Sequence, residues 1–273
     1  MEAIILGSGS PLPHPERAGP SILIRSGSLN FLFDCGRGVL IRAAAVPLLP
    51  VSLNAVFLTH LHSDHISDFS DVVITRWVMS PLPNPLPVFG PPGTKNFIEA
   101  TLEAFKADIG FRLAHHKDLQ AGPEVITEEV KGGIVLEKEG IKIIAAPTNH
   151  RPVHPSFGFR IEAEGKSVVI ASDTVPCEGL DRLCLGAEVL IQTVVRKSLV
   201  EVVPSPRFQD ILDYHSTTED AGRTAARGGV KILVLTHCVP APAPETEQDW
   251  IAEVNKHFSG KILVAYDLLR IAV

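Results

Sequence analysis

The sequence predicts an α/β protein folded as one domain over residues 1–273, and three observations carry that reading. Short apolar runs of strand length alternate with segments of helical spacing along the whole chain. No linker divides it, and large α/β and sandwich folds reach this length as single units. Histidines and aspartates recur where an apolar run stops, and strand ends on one edge of a sheet converge in space.

Residues 2 to 6, 21 to 25 and 29 to 34 read as strands, the first two joined by Gly7-Ser8-Gly9-Ser10-Pro11-Leu12-Pro13. That connection lacks both GxGxxG spacing and the lysine of a phosphate-cradling loop. Asp34-Cys35-Gly36-Arg37-Gly38 closes the third strand, and Val39 to Ala45 follows as a short helix. Asp34 has two readings: an acceptor that orients a histidine of the next loop, or a turn aspartate bonded to its own backbone.

The apolar run Leu53 to Leu58 then delivers Thr59-His60-Leu61-His62-Ser63-Asp64-His65, with three imidazoles and one carboxylate within six positions. His60 and His62 stand two apart, so on extended backbone both rings project to one side and can close on one ion. Asp64 and His65 are left for a second position. Imidazole suits Zn, Fe and Mn, and a carboxylate oxygen widens the choice of divalent ion.

Ile66 to Met79 has apolar residues near helical spacing, which predicts a helix running straight on from the loop with its N-terminus facing the metal pocket. Pro81 to Pro87 cannot be regular structure, and it leads to a short strand at Val88-Phe89 and a helix from Thr94 to Lys106. Residues 110 to 132 resist reading, and His115-His116 is taken as a surface pair because adjacent side chains diverge on any regular element. Strands at Gly133 to Leu136 and Ile141 to Ala146 follow, the second presenting His150, with His154 as its rival. A hairpin of Phe157 to Glu162 and Ser167 to Ala171 ends at Ser172-Asp173-Thr174. Ala187 to Thr193 is a buried strand, and a helix through Arg227 opens after His215 with a capping box of Ser216 and Glu219. Lys231 to Leu235 delivers His237, and a helix from Glu247 to Phe258 and strands at Lys261 to Val264 and Leu268 to Ile271 finish the chain.

Composition narrows the function classes. The chain is 45% apolar with mean hydropathy +0.20, enough for a substantial core, yet every apolar run is interrupted well before the ~20 residues of a membrane helix. Met1 to Gly7 enters a strand directly without the pattern of an export signal, and Cys35, Cys177, Cys184 and Cys238 are scattered, so a cytoplasmic protein with reduced thiols is expected. Formal charge is −6 and the cations are dispersed, whereas an RNA or DNA partner usually calls for a basic stripe. Seven donors, namely His60, His62, Asp64, His65, His150, Asp173 and His237, are too many for one tetrahedral ion and suit two ions sharing a carboxylate.

The HxHxDH motif at His60 to His65, His150, Asp173 in SDT and His237 in TH resemble the metallo-β-lactamase superfamily. Gly7 to Pro13, Phe33 to Gly38 (FDCGRG), Phe157 to Glu162 (FGFRIE) and His215-Ser216-Thr217 are similar to its ribonuclease Z and arylsulfatase-like branch. The resemblance implies a four-layer αβ/βα sandwich of two mixed sheets flanked by helices. It also implies two Zn2+ ions, with Mn2+ or Fe as alternatives. His60, His62 and His150 would hold one ion, Asp64, His65 and His237 the other, and Asp173 would bridge. Asp64 takes a catalytic role as proton acceptor and His215 one beside the leaving group.

In ribonuclease Z a basic, glycine-rich arm that grips tRNA is inserted between elements of the core, in known forms between the third histidine and the bridging aspartate. Here His150 and Asp173 are separated only by a hairpin. The expectation is therefore a dinuclear zinc hydrolase that uses a metal-bridging hydroxide on a small ester-like substrate: an aryl sulfate, phosphodiester, carboxylic ester or lactone. Its partner would be that small molecule, without nucleic acid or membrane, and the apolar loop Leu199 to Pro204 would serve a homodimer contact. The alternatives are a ribonuclease Z-type endonuclease acting on tRNA precursors, and a non-hydrolytic metal-binding or iron redox member of the fold. Specificity is expected in residues 80 to 93, 107 to 132 and 202 to 214.

Overall fold

Alternation along the strands decides the layers. In the computed structural model, which describes residues 1–273, Ala3 and Ile5 face one core while Ile4 and Leu6 face another. Phe31 and Phe33 part from Leu32 in the same way, as do Val168 and Ile170 from Val169. Strands buried on both faces need a cover on each side. The chain supplies it with β1 (Glu2–Gly7), β2 (Ser21–Ser26), β3 (Leu29–Phe33), α1 (Val39–Ala45), β4 (Ala55–Phe57), α2 (Ser63–Ile66), α3 (Phe69–Met79), β5 (Leu86–Gly90), α4 (Thr94–Ala104), α5 (Lys106–His115) and β6 (Val125–Glu129). Then follow β7 (Gly133–Lys138), β8 (Ile141–His150), β9 (Val153–Ala163), β10 (Lys166–Ile170), α6 (Glu178–Cys184), β11 (Val189–Val195), α7 (Lys197–Val200), α8 (Pro206–Gln209), α9 (Thr218–Gly228), β12 (Ile232–Val239), α10 (Glu247–Asn255), β13 (Lys261–Val264) and β14 (Leu269–Ala272).

The strands form two seven-stranded sheets, β14-β1-β2-β3-β4-β5-β6 and β13-β12-β11-β10-β9-β8-β7. Read from β14 in the first sheet and from β7 in the second, each has three antiparallel pairings followed by three parallel ones, so the two sheets share one pattern. Between them lies the central core, where Phe57 stacks on Phe33 at 4.8 Å and on Phe89 at 4.9 Å and meets the edge of Phe159 at 5.6 Å. Residues of α1, α3 and α4 cover the outer face of the first sheet, and residues of α6, α9 and α10 that of the second. This is the expected four-layer αβ/βα sandwich.

The topology positions the site. β8, β10 and β12 run in one direction within the second sheet, so their C-terminal ends open at one edge, and β4 ends against them from the first. The backbone of Phe157 donates to Thr59 O at 2.9 Å and ties the two sheets together at that point.

Several boundaries differ from the expectation. The helix after the histidines is two pieces, because Asp68 is drawn aside: its N–H donates to Cys35 O at 2.9 Å and its carboxylate accepts from Gly38 N at 2.6 Å. The helix from Thr94 breaks at Phe105, and α5 and β6 occupy much of the stretch that resisted reading. The capping box of α9 lies one residue later, on Thr217 and Asp220, because the Ser216 hydroxyl donates to Thr174 O instead. Helix α6 was not foreseen. Its Gly179 lets it rest on β8, where a Cβ would stand 1.9 Å from Pro147 O.

Candidate metal centre

The histidine loop is held from below. Asp34, with φ 59° at the end of β3, accepts from Thr59 N at 2.8 Å and from Thr59 Oγ1 at 2.9 Å, and pairs with His65 Nδ1 at 2.8 Å. Of its two readings, the orienting acceptor is therefore the observed one. Cys35 N donates to His65 O at 2.7 Å, and at Gly36 a Cβ would meet Asp64 O at 2.6 Å, so only glycine lets this connection lie against the loop. On the other sheet, His237 N donates to Ser8 O at 3.1 Å, which gives the glycine-rich N-terminal connection a structural task. That connection is pinned by Asp267, which accepts from Ser8 N, Ser8 Oγ, Ala18 N and Arg42 Nε.

All seven expected donors meet. His60, His62, His150 and Asp173 form one group, and Asp64, His65 and His237 a second, each with its ligand-type atoms within 4.8 Å of one another. Asp173 Oδ2 lies at the centre. It is 3.4 Å from His65 Nε2, 3.7 Å from His237 Nε2, and 3.9 Å from both His60 Nε2 and His150 Nε2. Asp64 Oδ2 stands 3.2 Å from His237 Nε2 and 3.6 Å from His65 Nε2. His215 joins them, its Nε2 3.3 Å from Asp173 Oδ2 and its Nδ1 bonded to Ile211 O at 3.0 Å. His154 and the His115-His116 pair are exposed and belong to neither group.

The far sides of His65, His150 and His60 are anchored, which aims the near side of each of these rings inward, whereas His237 Nδ1 is buried without a partner. His65 uses Asp34, His150 donates Nδ1–H to Tyr214 O at 2.9 Å, and His60 Nδ1 faces Thr59 Oγ1 at 3.0 Å and Ser172 Oγ at 3.4 Å. Sequence reasoning passed over Thr59, Ser172, Tyr214 and Asp267, whose contributions depend on contacts that no local motif announces.

Electrostatics follow from burial and from Asp173. Burial pushes His60 well below the usual imidazole range, helped by His65, and pushes His150 down to about 4. Burial opposes charge on His65 and His215 as well. There the carboxylates prevail: Asp173 and Asp34 hold His65 well above the usual range, and Asp173 raises His215. Burial also acts to raise Asp173, yet the surrounding histidines keep it well below the ordinary carboxylate range. Asp64 is lowered too, chiefly by the His237 bond working against burial.

This donor set fits divalent cations. His60 Nε2, His65 Nε2 and Asp173 Oδ1 are buried without hydrogen-bond partners, and leaving such atoms unpaired costs about 1–3 kcal/mol each. Neutral imidazole nitrogens and carboxylate oxygens are the ligands that zinc, manganese and iron take. The proton that His65 favours competes with a cation for the same Nε2.

A family model described as "Beta-lactamase superfamily domain" matches residues 29–238. The chain belongs to the metallo-β-lactamase superfamily, on its ribonuclease Z branch. A relative from Mycobacterium bovis (strain BCG / Pasteur 1173P2), named Ribonuclease Z, is 53% identical over 275 residues, covering 100% of this chain and 98% of its own length. One from Mycobacterium tuberculosis (strain H37Rv) with the same name is 51% identical over the same span. Among solved structures, the metallo-beta-lactamase fold protein YhfI from Bacillus subtilis superposes with a TM-score of 0.76 at 21% identity, covering 99% of this chain and 98% of its own. Human tRNase Z, short form, superposes with 0.73 at 23%, covering 100% and 99%. With the superfamily comes the expected class, a metal-dependent hydrolase acting on ester-type bonds.

The relatives correct the expectation of a small-molecule partner without nucleic acid, since proteins named Ribonuclease Z align with this chain from end to end. The missing arm had pointed the other way. Coverage of 98% of the relative leaves no room there for a long inserted arm either, so its absence does not separate this chain from that branch. As for membranes, no helix is long and apolar enough to cross one.

Proposed function

We propose that the protein is a cytoplasmic ribonuclease Z-type endonuclease that hydrolyses a phosphodiester of tRNA precursors. The observation that carries this reading is 53% identity over the whole chain to a protein named Ribonuclease Z, and the converged seven-donor site supports it. His60, His62 and His150 would hold one zinc ion, and Asp64, His65 and His237 a second, with Asp173 shared. Bound there, the ions supply Lewis acidity toward a phosphoryl oxygen and lower the pKa of water.

The chain's own residues account for the rest. Asp173 and Asp64 stay ionised among the imidazoles, which sets the charge of the donor set. Asp64 is the carboxylate placed to accept the proton of the attacking water as that water adds to phosphorus. His215, fixed through Nδ1 to Ile211 O and raised in pKa by Asp173, holds a proton on the face turned toward the site. It passes this proton to the leaving oxygen as the phosphorus–oxygen bond breaks.

The test is a precursor tRNA with a 3′ trailer, incubated with protein whose metal content has been measured. A single cut that separates the trailer is expected, with about two metal equivalents per chain and loss of cutting in Asp64→Ala. Intact RNA in the presence of fully loaded protein overturns the proposal.

A further inference from the structure

We infer that Tyr214 is a stacking platform for a nucleobase next to the scissile phosphate, an assignment that rests on the ribonuclease reading above. Its ring lies against the cluster, with its centroid 5.4 Å from that of His150 and 4.7 Å from that of His215. The interplanar angles, 69° and 49°, show that neither imidazole lies flat on it, and the residue is only half-buried. The ring therefore borders the place where a phosphodiester must sit and keeps surface for a ligand. Neither imidazole contact accounts for the part of the ring left uncovered.

The backbone that carries the ring is held in place. Tyr214 O accepts from His150 Nδ1, and Tyr214 N donates to Ile211 O. Upstream, Phe208, Ile211 and Leu212 pack against Val195 and Val239, at the ends of β11 and β12, and Val200 of α7. A platform carried on fixed backbone has less freedom to lose when a base lands on it. The nearby charges favour stacking over phosphate contact, because Gln209 to Tyr214 contains Asp210 and Asp213 and no cation. Single-stranded RNA is commonly held by stacking unpaired bases on aromatic side chains, worth about 1–3 kcal/mol per base and tolerant of sequence.

The test pairs protein variants with substrate variants. Precursor RNA is prepared with a normal or an abasic nucleotide on either side of the scissile phosphate, and cut by wild type, Tyr214→Phe and Tyr214→Leu, with metal content measured for each. At one of the two positions, base removal should lower kcat/KM about 5- to 150-fold for wild type and Tyr214→Phe, mainly through KM. Tyr214→Leu should cut both RNAs alike. A readout independent of turnover, and of any metal lost by the leucine variant, is 2-aminopurine at that position: it should stay quenched when bound to wild type or Tyr214→Phe and brighten on Tyr214→Leu. Discrimination by Tyr214→Leu equal to that of wild type, or equal fluorescence on all three, overturns the assignment. Cutting by wild type that ignores the abasic sites removes stacking alone, whereas failure of wild type to cut any RNA removes the ribonuclease reading and the stacking with it.

Discussion

Replacing Asp34 by Asn changes no volume and would still disable the second half of the metal centre. In the native protein the two carboxylate oxygens serve three groups: Thr59 N, Thr59 Oγ1 and His65 Nδ1. An asparagine keeps one oxygen for Thr59 N and turns an NH2 toward the other two. Thr59 Oγ1 has two lone pairs and can accept from the new NH2 while still accepting from His60 Nδ1, 3.0 Å away, but His65 Nδ1 must become an acceptor. Its proton then moves to Nε2, the atom 3.4 Å from Asp173 Oδ2 and 3.6 Å from Asp64 Oδ2. The lone pair needed for a cation is gone. Loss of an orienting partner of this kind lowers metal affinity about 10- to 100-fold. One hydrogen bond to a charged group disappears as well, worth about 1.5–3 kcal/mol of stability in the metal-free protein. Chelator competition monitored by elemental analysis measures the first effect and urea unfolding the second. Asp34→Asn protein that retains two ions with wild-type affinity would show that Asp34 supports the loop without setting the tautomer of His65.

Gly36→Ala places a Cβ 2.4 Å from Gly19 C, 2.5 Å from Pro20 N and 2.6 Å from Asp64 O, all of them backbone, so a shifted histidine loop and lost metal are expected by elemental analysis, together with about 1–3 kcal/mol of destabilisation. Phe57→Ala empties the middle of the stacked row between Phe33 and Phe89 and should cost about 3–5 kcal/mol in denaturant unfolding. Burial pushes Cys184 and Cys238 up to about 12 and Cys35 well above its ordinary value, so iodoacetamide at pH 8 should label only half-buried Cys177 in the native protein and all four thiols after unfolding, as read by mass spectrometry.

Sequence exposed the donors because their placement is periodic and local. The two-residue spacing of His60 and His62 survives on extended backbone, with His62 at φ −65° and ψ 143°, and β8, β10 and β12 deliver His150, Asp173 and His237 to one edge because they run the same way. Asp34 kept two readings because an aspartate at positive φ looks the same in sequence whether it bonds its own turn or a loop thirty-one positions later. Helix α5 escaped because it has no buried residue to impose a period, and β6 because only one face of that edge strand is even partly covered. Asp267 could not be read at all: its partners Ser8, Ala18 and Arg42 lie more than two hundred positions away.

The acidic balance misled for a related reason, since a formal charge counts groups that no partner meets. Asp34, Asp64, Asp173 and Asp267 contribute four of the negative charges in the net of −6, yet their side chains are between 3% and 9% exposed and turned into hydrogen bonds or the donor cluster. On the other side of the balance, Arg76 is buried with its guanidinium on the carbonyls of Pro50, Leu53, Asn84 and Pro85. The surface therefore carries only about half the formal charge, and divalent ions in the cluster would lower it further. Such a surface does not repel RNA strongly, but it offers few phosphate contacts. Binding of a precursor tRNA should accordingly weaken with salt along a slope no steeper than about −3 in log K against log salt, the signature of three or four neutralised phosphates. Fluorescence anisotropy from 50 to 200 mM salt measures it. A slope near −10 would require a basic surface on a scale this protein does not present, and would show that the charge argument fails for the bound state.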